Sequence, residues 1–232
     1  MTDISKLHRK DLKGPDEFIT AFKSTVAWVR LNQSLVLGVI AAVILVGAAA
    51  SGTRSYFAWQ EAKANKDLWP HLNRAREILQ APGKADIEKL VGIEQFLSAY
   101  VNQHPKTQAG VYAHYYLGSI AFTRRDFGLS IAQFKATIDQ GKDIGVMRFL
   151  ARQGLAQALE AKGDYASAST AFKDAASAAT GDLKFQALLG EARVLTQLGR
   201  NGDAVAIYRE IAAGNPAPST KEFVEIKLAR IQ

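Results

Sequence analysis

Apolar positions follow two patterns along the chain. Between Arg30 and Arg54 lie 23 residues without a charge, centred on Leu35–Ala50. From Leu72 onward, apolar residues recur at spacings of three and four, with polar residues between them. The first pattern predicts one membrane-spanning helix over residues 31–53. A helix rises about 1.5 Å per residue, so about 20 residues cross a hydrocarbon layer of about 30 Å. Arg30 and Arg54 can snorkel to the two interfaces, and Trp28, Tyr56, Phe57 and Trp59 stand where interfacial aromatics are expected. The second pattern predicts amphipathic helices packed on one another. The predicted class is all-α, a transmembrane helix followed by stacked helix pairs.

A cleavable signal peptide competes with the anchor, because Ala48-Ala49-Ala50 before Ser51 suits a small-residue cleavage site. The stretch of over 30 residues ahead of the apolar run favours a retained anchor. Small residues four apart, Gly38/Ala42 and Gly47/Ser51, allow a second membrane helix to approach, and are also common in any anchor. Ahead of the span, residues 1–14 read as disordered or weakly structured. Pro15-Asp16-Glu17 then reads as a helix start. Ile19, Phe22, Val26 and Val29 form an apolar stripe that fits either a membrane surface or a partner protein. Flanking charge hardly orients the span. Lys13, Lys23 and Arg30 precede it, Arg54, Lys63 and Lys66 follow it, and Lys6, Arg9 and Lys10 tip the balance slightly toward an inside tail.

The region after residue 107 repeats itself. Leu117-Gly118-Ser119-Ile120 with Phe127, Ser130 and Phe134 aligns with Leu155-Ala156-Gln157-Ala158, Tyr165, Ala168 and Phe172. Both align with Ala192-Arg193-Val194-Leu195, Ala204 and Tyr208. Gly163 and Gly199 are 36 residues apart, and Phe127 and Tyr165 are 38 apart. Small residues at Gly118, Ala156 and Ala192 let the first helix of a pair approach its second, and Ser130, Ala168 and Ala204 answer them. Bulky Phe134, Phe172 and Tyr208 fill the space between stacked pairs. Gly163 and Gly199 suit the left-handed residue that ends a helix. Asp164 and Asp203 suit the next helix start. This pattern resembles the tetratricopeptide unit, a helix pair of about 34 residues.

A degenerate pair precedes the three repeats, with Leu72, Ile78 and Leu79 in one helix. Ile87, Leu90, Ile93, Phe96, Leu97 and Tyr100 mark the next, closing at His104-Pro105. A last helix from Ser219 to Ile231, with Phe223, Ile226 and Leu228 inward, caps the stack. The expected organisation is a tail with a juxtamembrane helix over 1–30, the span over 31–53, a linker helix and degenerate pair over 54–106, and three repeats with a cap over 107–232.

Composition narrows the chemistry. The chain of 232 residues has no cysteine, which excludes disulfides, thiolate catalysis and cysteine-bearing zinc sites. Its net charge of +7 is interspersed, and no basic block exceeds His8-Arg9-Lys10, so nucleic acid is not an expected partner. His8, His71, His104 and His114 lack metal-ligand spacing. There is no phosphate loop, nucleophile elbow or paired-carboxylate site. No enzyme activity, metal or cofactor is expected.

The order of elements, from Pro15-Asp16-Glu17-Phe18 through a helix ending near Trp28, the span, and the flank Tyr56-Phe57-Ala58-Trp59 into divergent repeats, resembles the YfgM-like ancillary subunits of the bacterial Sec translocon. The resemblance covers roughly residues 15–232. It implies an inner-membrane protein with a cytoplasmic N-terminus and periplasmic repeats, helping secreted clients meet periplasmic chaperones beside Sec subunits. Similar repeats occur in periplasmic cell-division coordinators and in outer-membrane assembly lipoproteins, and the missing lipobox cysteine argues against the latter. A self-associating scaffold of another envelope complex is the alternative function.

In tetratricopeptide arrays the first helix of each pair lines a concave groove. Counting from the aligned positions gives Tyr112, Tyr115, Ser119 and Phe122, then Gln153, Gln157 and Glu160, then Arg193 and Gln197. Aromatic and amide side chains together suit an extended peptide or a partner helix. Packing of Tyr112 and Phe122 on the preceding pair is the competing reading. The Lys and Asn that clamp a terminal carboxylate in some arrays are absent from the comparable positions. His114 is expected to pack against neighbours rather than face the groove.

Overall fold

The computed structural model describes residues 17–81, 87–105, 107–141 and 145–231, and every element among them is a helix. Residues 1–16, including the Pro15-Asp16 helix start, lie outside the described residues. The helices are α1 (Glu17–Leu31), α2 (Gln33–Gln80), α3 (Ile87–Gln103), α4 (Gln108–Thr123), α5 (Phe127–Gln140), α6 (Gly145–Lys162), α7 (Tyr165–Ser177), α8 (Gly181–Gln197), α9 (Asn201–Ala213) and α10 (Pro218–Ile231). The chain divides into two units, residues 1–59 and 60–232.

In the first unit, the i to i−4 ladder carries through Asn32, whose backbone N–H donates to Trp28 O and whose carbonyl accepts from Val36. The apolar window of α2 is long enough to cross a membrane, and none of it is buried within the protein. Phe22 of the predicted stripe is exposed. The helix does not end at residue 53 as the hydrophobic boundary suggested, but runs to Gln80. The reason is local. Gln60-Glu61-Ala62-Lys63-Ala64 are strong helix formers, and a drop in hydrophobicity breaks no hydrogen bond. The candidate anchor, the expected linker helix and the first helix of the degenerate pair all lie in α2.

In the second unit, residues 60–80 of α2 pair with α3, followed by the pairs α4/α5, α6/α7 and α8/α9, with α10 at the end. From α3 to α10 each helix packs on the next, and α4 also approaches α6 as α6 approaches α8. Leu68, Leu72, Ala75 and Ile78 of α2 bury against Leu90, Ile93, Leu97 and Tyr100 of α3, continuing into Ala113, Leu117 and Ile120 of α4. Further along, Phe172 with Val194, and then Tyr208, Ile211 and Val224 with Leu188 and Leu195, carry the core to the cap.

The small residues allow these approaches. Ser130 is fully buried, and its Oγ donates to Gly118 O across the α4/α5 contact at 2.9 Å. A Cβ added at Gly118 would sit 2.9 Å from the Phe134 ring, and one at Gly154 would sit 2.6 Å from it. Phe134 thus wedges between successive first helices. Phe172 repeats the arrangement against Gly190. The turns repeat too. Gly163 has φ +89° and Gly199 φ +73°, while Arg125 holds the equivalent place at φ +65°. Asp126 and Asp164 accept from the N–H groups of Leu129 and Ser167. Asp203 does not cap its helix. Arg200 takes the cap position with no side-chain acceptor for the free backbone N–H groups, and Asp203 sits inside the first turn, paired to Arg200 at 2.7 Å.

The last helix also departs from expectation. Val224 is its buried residue, with Leu228 and Ile231 packed beside it. Phe223 and Ile226 remain 45% and 46% exposed. Val224, Leu228 and Ile231 are spaced by four and three and make one stripe, which leaves Phe223 and Ile226 on its flanks.

Candidate protein-binding groove

Helix α4 presents Tyr115, Ser119 and Phe122 at spacings of four and three, so they share one face. Helix α6 presents Gln153 and Gln157 in the same way. These five residues line one recess of about 350 Å³, together with Arg76, Leu79 and Gln80 from α2. Phe134 forms part of its floor, with its ring 5.8 Å from that of Tyr115. Tyr116 meets Tyr115 edge-on at 5.5 Å. Phe122 lies 5.8 Å from Phe127, centroid to centroid.

The recess is polar and apolar at once. Burial pushes the Tyr115 hydroxyl above its usual range, against the pull of its hydrogen bond with Ser119. Burial does the same for Tyr116, against the nearby Arg76 cation. Both are neutral phenols at pH 7, able to donate and accept. Ser119 Oγ also lies 3.0 Å from the backbone carbonyl of Tyr115, to which it donates. Arg76 bonds Asn73 on its own helix at 3.2 Å and brings a positive charge to one edge. Amides, phenols and one cation beside aromatic rings can bind backbone and side chains of an extended segment.

The remaining predicted groove residues lie elsewhere. Tyr112 packs on the preceding pair, its ring 5.6 Å from Trp69. Glu160 and Arg193 face one another between α6 and α8, joined by two hydrogen bonds of 2.7 Å each. Arg193 and Gln197 line a second recess, near α10. His114 packs between helices, with Nδ1 2.7 Å from Gln133 Oε1. Counting from repeat positions missed Arg76, Tyr116 and Gly154. Gly154 carried a signal, since it stands 36 residues before Gly190. Arg76 lies in the degenerate pair, where no repeat register exists to count from.

Trp28, Arg30, Arg54, Tyr56 and Trp59 are all exposed. Tyr56 stands 5.9 Å from Phe57 and 6.3 Å from Trp59 by ring centroids. Among the described residues, no group of three His, Asp or Glu side chains is placed to hold a metal ion.

The family model of the tetratricopeptide repeat-like domain matches residues 27–232. The chain belongs to this family. The match begins ahead of the apolar stretch of α2, so the family covers the candidate anchor as well as the helix pairs. Membership accounts for the all-helical architecture and makes proteins the expected class of partner. Neither a curated protein nor a solved structure matches the chain.

Proposed function

We propose that this protein is a membrane-anchored adaptor whose groove at Tyr115, Ser119, Phe122, Gln153 and Gln157 holds a segment of another protein. The single observation that carries the reading is the convergence of those five side chains on one open recess. The unburied apolar window of α2, flanked by Trp28 and Tyr56, supports an anchor in a bacterial inner membrane. The tail is then cytoplasmic and the helix pairs periplasmic. The resemblance to YfgM-like subunits makes the Sec translocon, periplasmic chaperones and secreted clients the partners of choice.

A photo-crosslinking residue at Gln157 in native membranes tests this. Crosslinks to Sec subunits, chaperones or secreted chains are expected. Capture of division or envelope-assembly proteins alone sinks the translocon reading, and no protein crosslink at all sinks the groove. Protease digestion of the helix pairs in spheroplasts, with protection in intact cells, tests the orientation.

A second reading, a self-associating envelope scaffold, is favoured by Gly38 and Gly47. Both have open space around them in the span. Sedimentation of the full chain in detergent decides it, because a monomer at high concentration removes it.

A further inference from the structure

At two junctions of the array, an aromatic ring from the second helix of a pair meets a glycine of the next pair. Phe134 meets Gly154, and Phe172 meets Gly190. Tyr208 is the equivalent ring of the third repeat. Helix α10, which follows it, contains no glycine. Tyr208 is buried without such a glycine, in one core with Val224 of α10. α4 approaches α6 and α6 approaches α8, but among the described residues α8 and α10 have no Cα pair within 8 Å.

The opening left behind is a recess of about 290 Å³, walled by Leu189, Tyr208, Phe223 and Ile231. Its charged groups are all cations, Arg193, Lys227 and Arg230. Glu160 neutralises Arg193. Lys227 Nζ lies 5.3 Å from the centroid of the Phe223 ring. Among the described residues, no carboxylate pairs with Lys227 or Arg230. Apolar walls favour a buried side chain, and two uncompensated cations favour a carboxylate beside it.

We propose that this recess is a second docking socket, which takes an apolar side chain carried on an acidic segment of a partner protein. It differs in chemistry from the amide-and-phenol groove. The inference rests on the adaptor reading. The guest side chain packs against Leu189, Phe223 and Ile231.

The test uses the full chain in phosphatidylcholine nanodiscs and fluorescence anisotropy. One probe is a fluorescein-labelled peptide with a leucine-phenylalanine pair flanked by glutamates. The other replaces the glutamates with lysines. The acidic peptide is expected to bind and the basic one to fail. Added salt should weaken binding, and Lys227→Glu with Arg230→Glu should weaken it by about tenfold or more. Thr196→Trp, which fills the recess without changing charge, should abolish it. Ser119→Trp, which obstructs the other recess, tells the two sites apart. Loss of binding in Ser119→Trp alone places the peptide in the groove, so the adaptor reading survives and the socket falls. Equal binding of both peptides, binding of neither, or self-association that Lys227→Glu and Arg230→Glu remove, overturns the proposal.

Discussion

The ring of Phe172 occupies the space in which a side chain at Gly190 would have to begin. A methyl group there must push the ring or part the two helices. Overpacking of this kind costs about 1–3 kcal/mol. Gly190→Ala is therefore expected to lower the midpoint of urea unfolding, followed by circular dichroism. Gly92 is the control, since it sits inside α3 with nothing within 4 Å of an added Cβ. Gly92→Ala should raise stability by up to about 1 kcal/mol through helix propensity alone. Equal effects at the two positions would refute the wedge.

Ser130 and Gly118 make the matching contact inside the first repeat. Ser130→Ala removes a buried donor, while Gly118 O keeps its place in the helix ladder. A loss of about 1 kcal/mol is expected from the same unfolding measurement. A neutral result would mean that the hydroxyl is only filling space.

The turn between α4 and α5 is strained in a way its counterparts are not. Arg125 holds φ +65°, where the equivalent positions in the later repeats are glycines. A side chain in the left-handed region costs roughly 1 kcal/mol. Arg125→Gly should recover much of this, and Gly163→Ala should lose a similar amount. A destabilised Arg125→Gly would show that the arginine side chain contributes a contact that outweighs the strain.

Glu191 is a carboxylate only 9% exposed on α8. Burial raises its pKa, with Glu210 adding to the shift and Lys173 and Arg200 opposing it. A raised pKa means that the folded state holds the proton more tightly than the unfolded chain. Stability therefore falls as pH rises from the unfolded value, about 4.3, through the folded one. Glu191→Gln should be more stable than the parent at pH 7 and no better at pH 4. An advantage that persists at pH 4 would assign the effect to something other than ionisation.

The repeats were legible because their period is written in the rings and small residues, from Gly118 and Phe134 to Ala204 and Tyr208. Gly154 and Gly190 were harder to read. A glycine inside a helix looks like a weak spot until its ring partner in the preceding pair is known. The length of α2 was hidden because the eye stops where hydrophobicity stops, at Arg54, although helix formers continue. Five recess residues were reachable by counting from aligned positions. For Tyr112 the reading left groove and packing both open, because Trp69, its neighbour in space, belongs to a helix with no recognisable register. Phe223 and Ile226 were misassigned for the same reason, since α10 has only half of a repeat to align.

The match between ring and glycine has a consequence for how such a chain changes length over time. Excising the 36 residues from Gly154 to Leu189 would bring Phe134 into the same step ahead of Gly190 that it now has ahead of Gly154. The Phe134 ring would still find a bare position opposite. An excision one residue shorter or longer would not preserve this, because a side chain would meet the ring. At this junction the interlock therefore favours the gain or loss of a whole unit over that of a single residue.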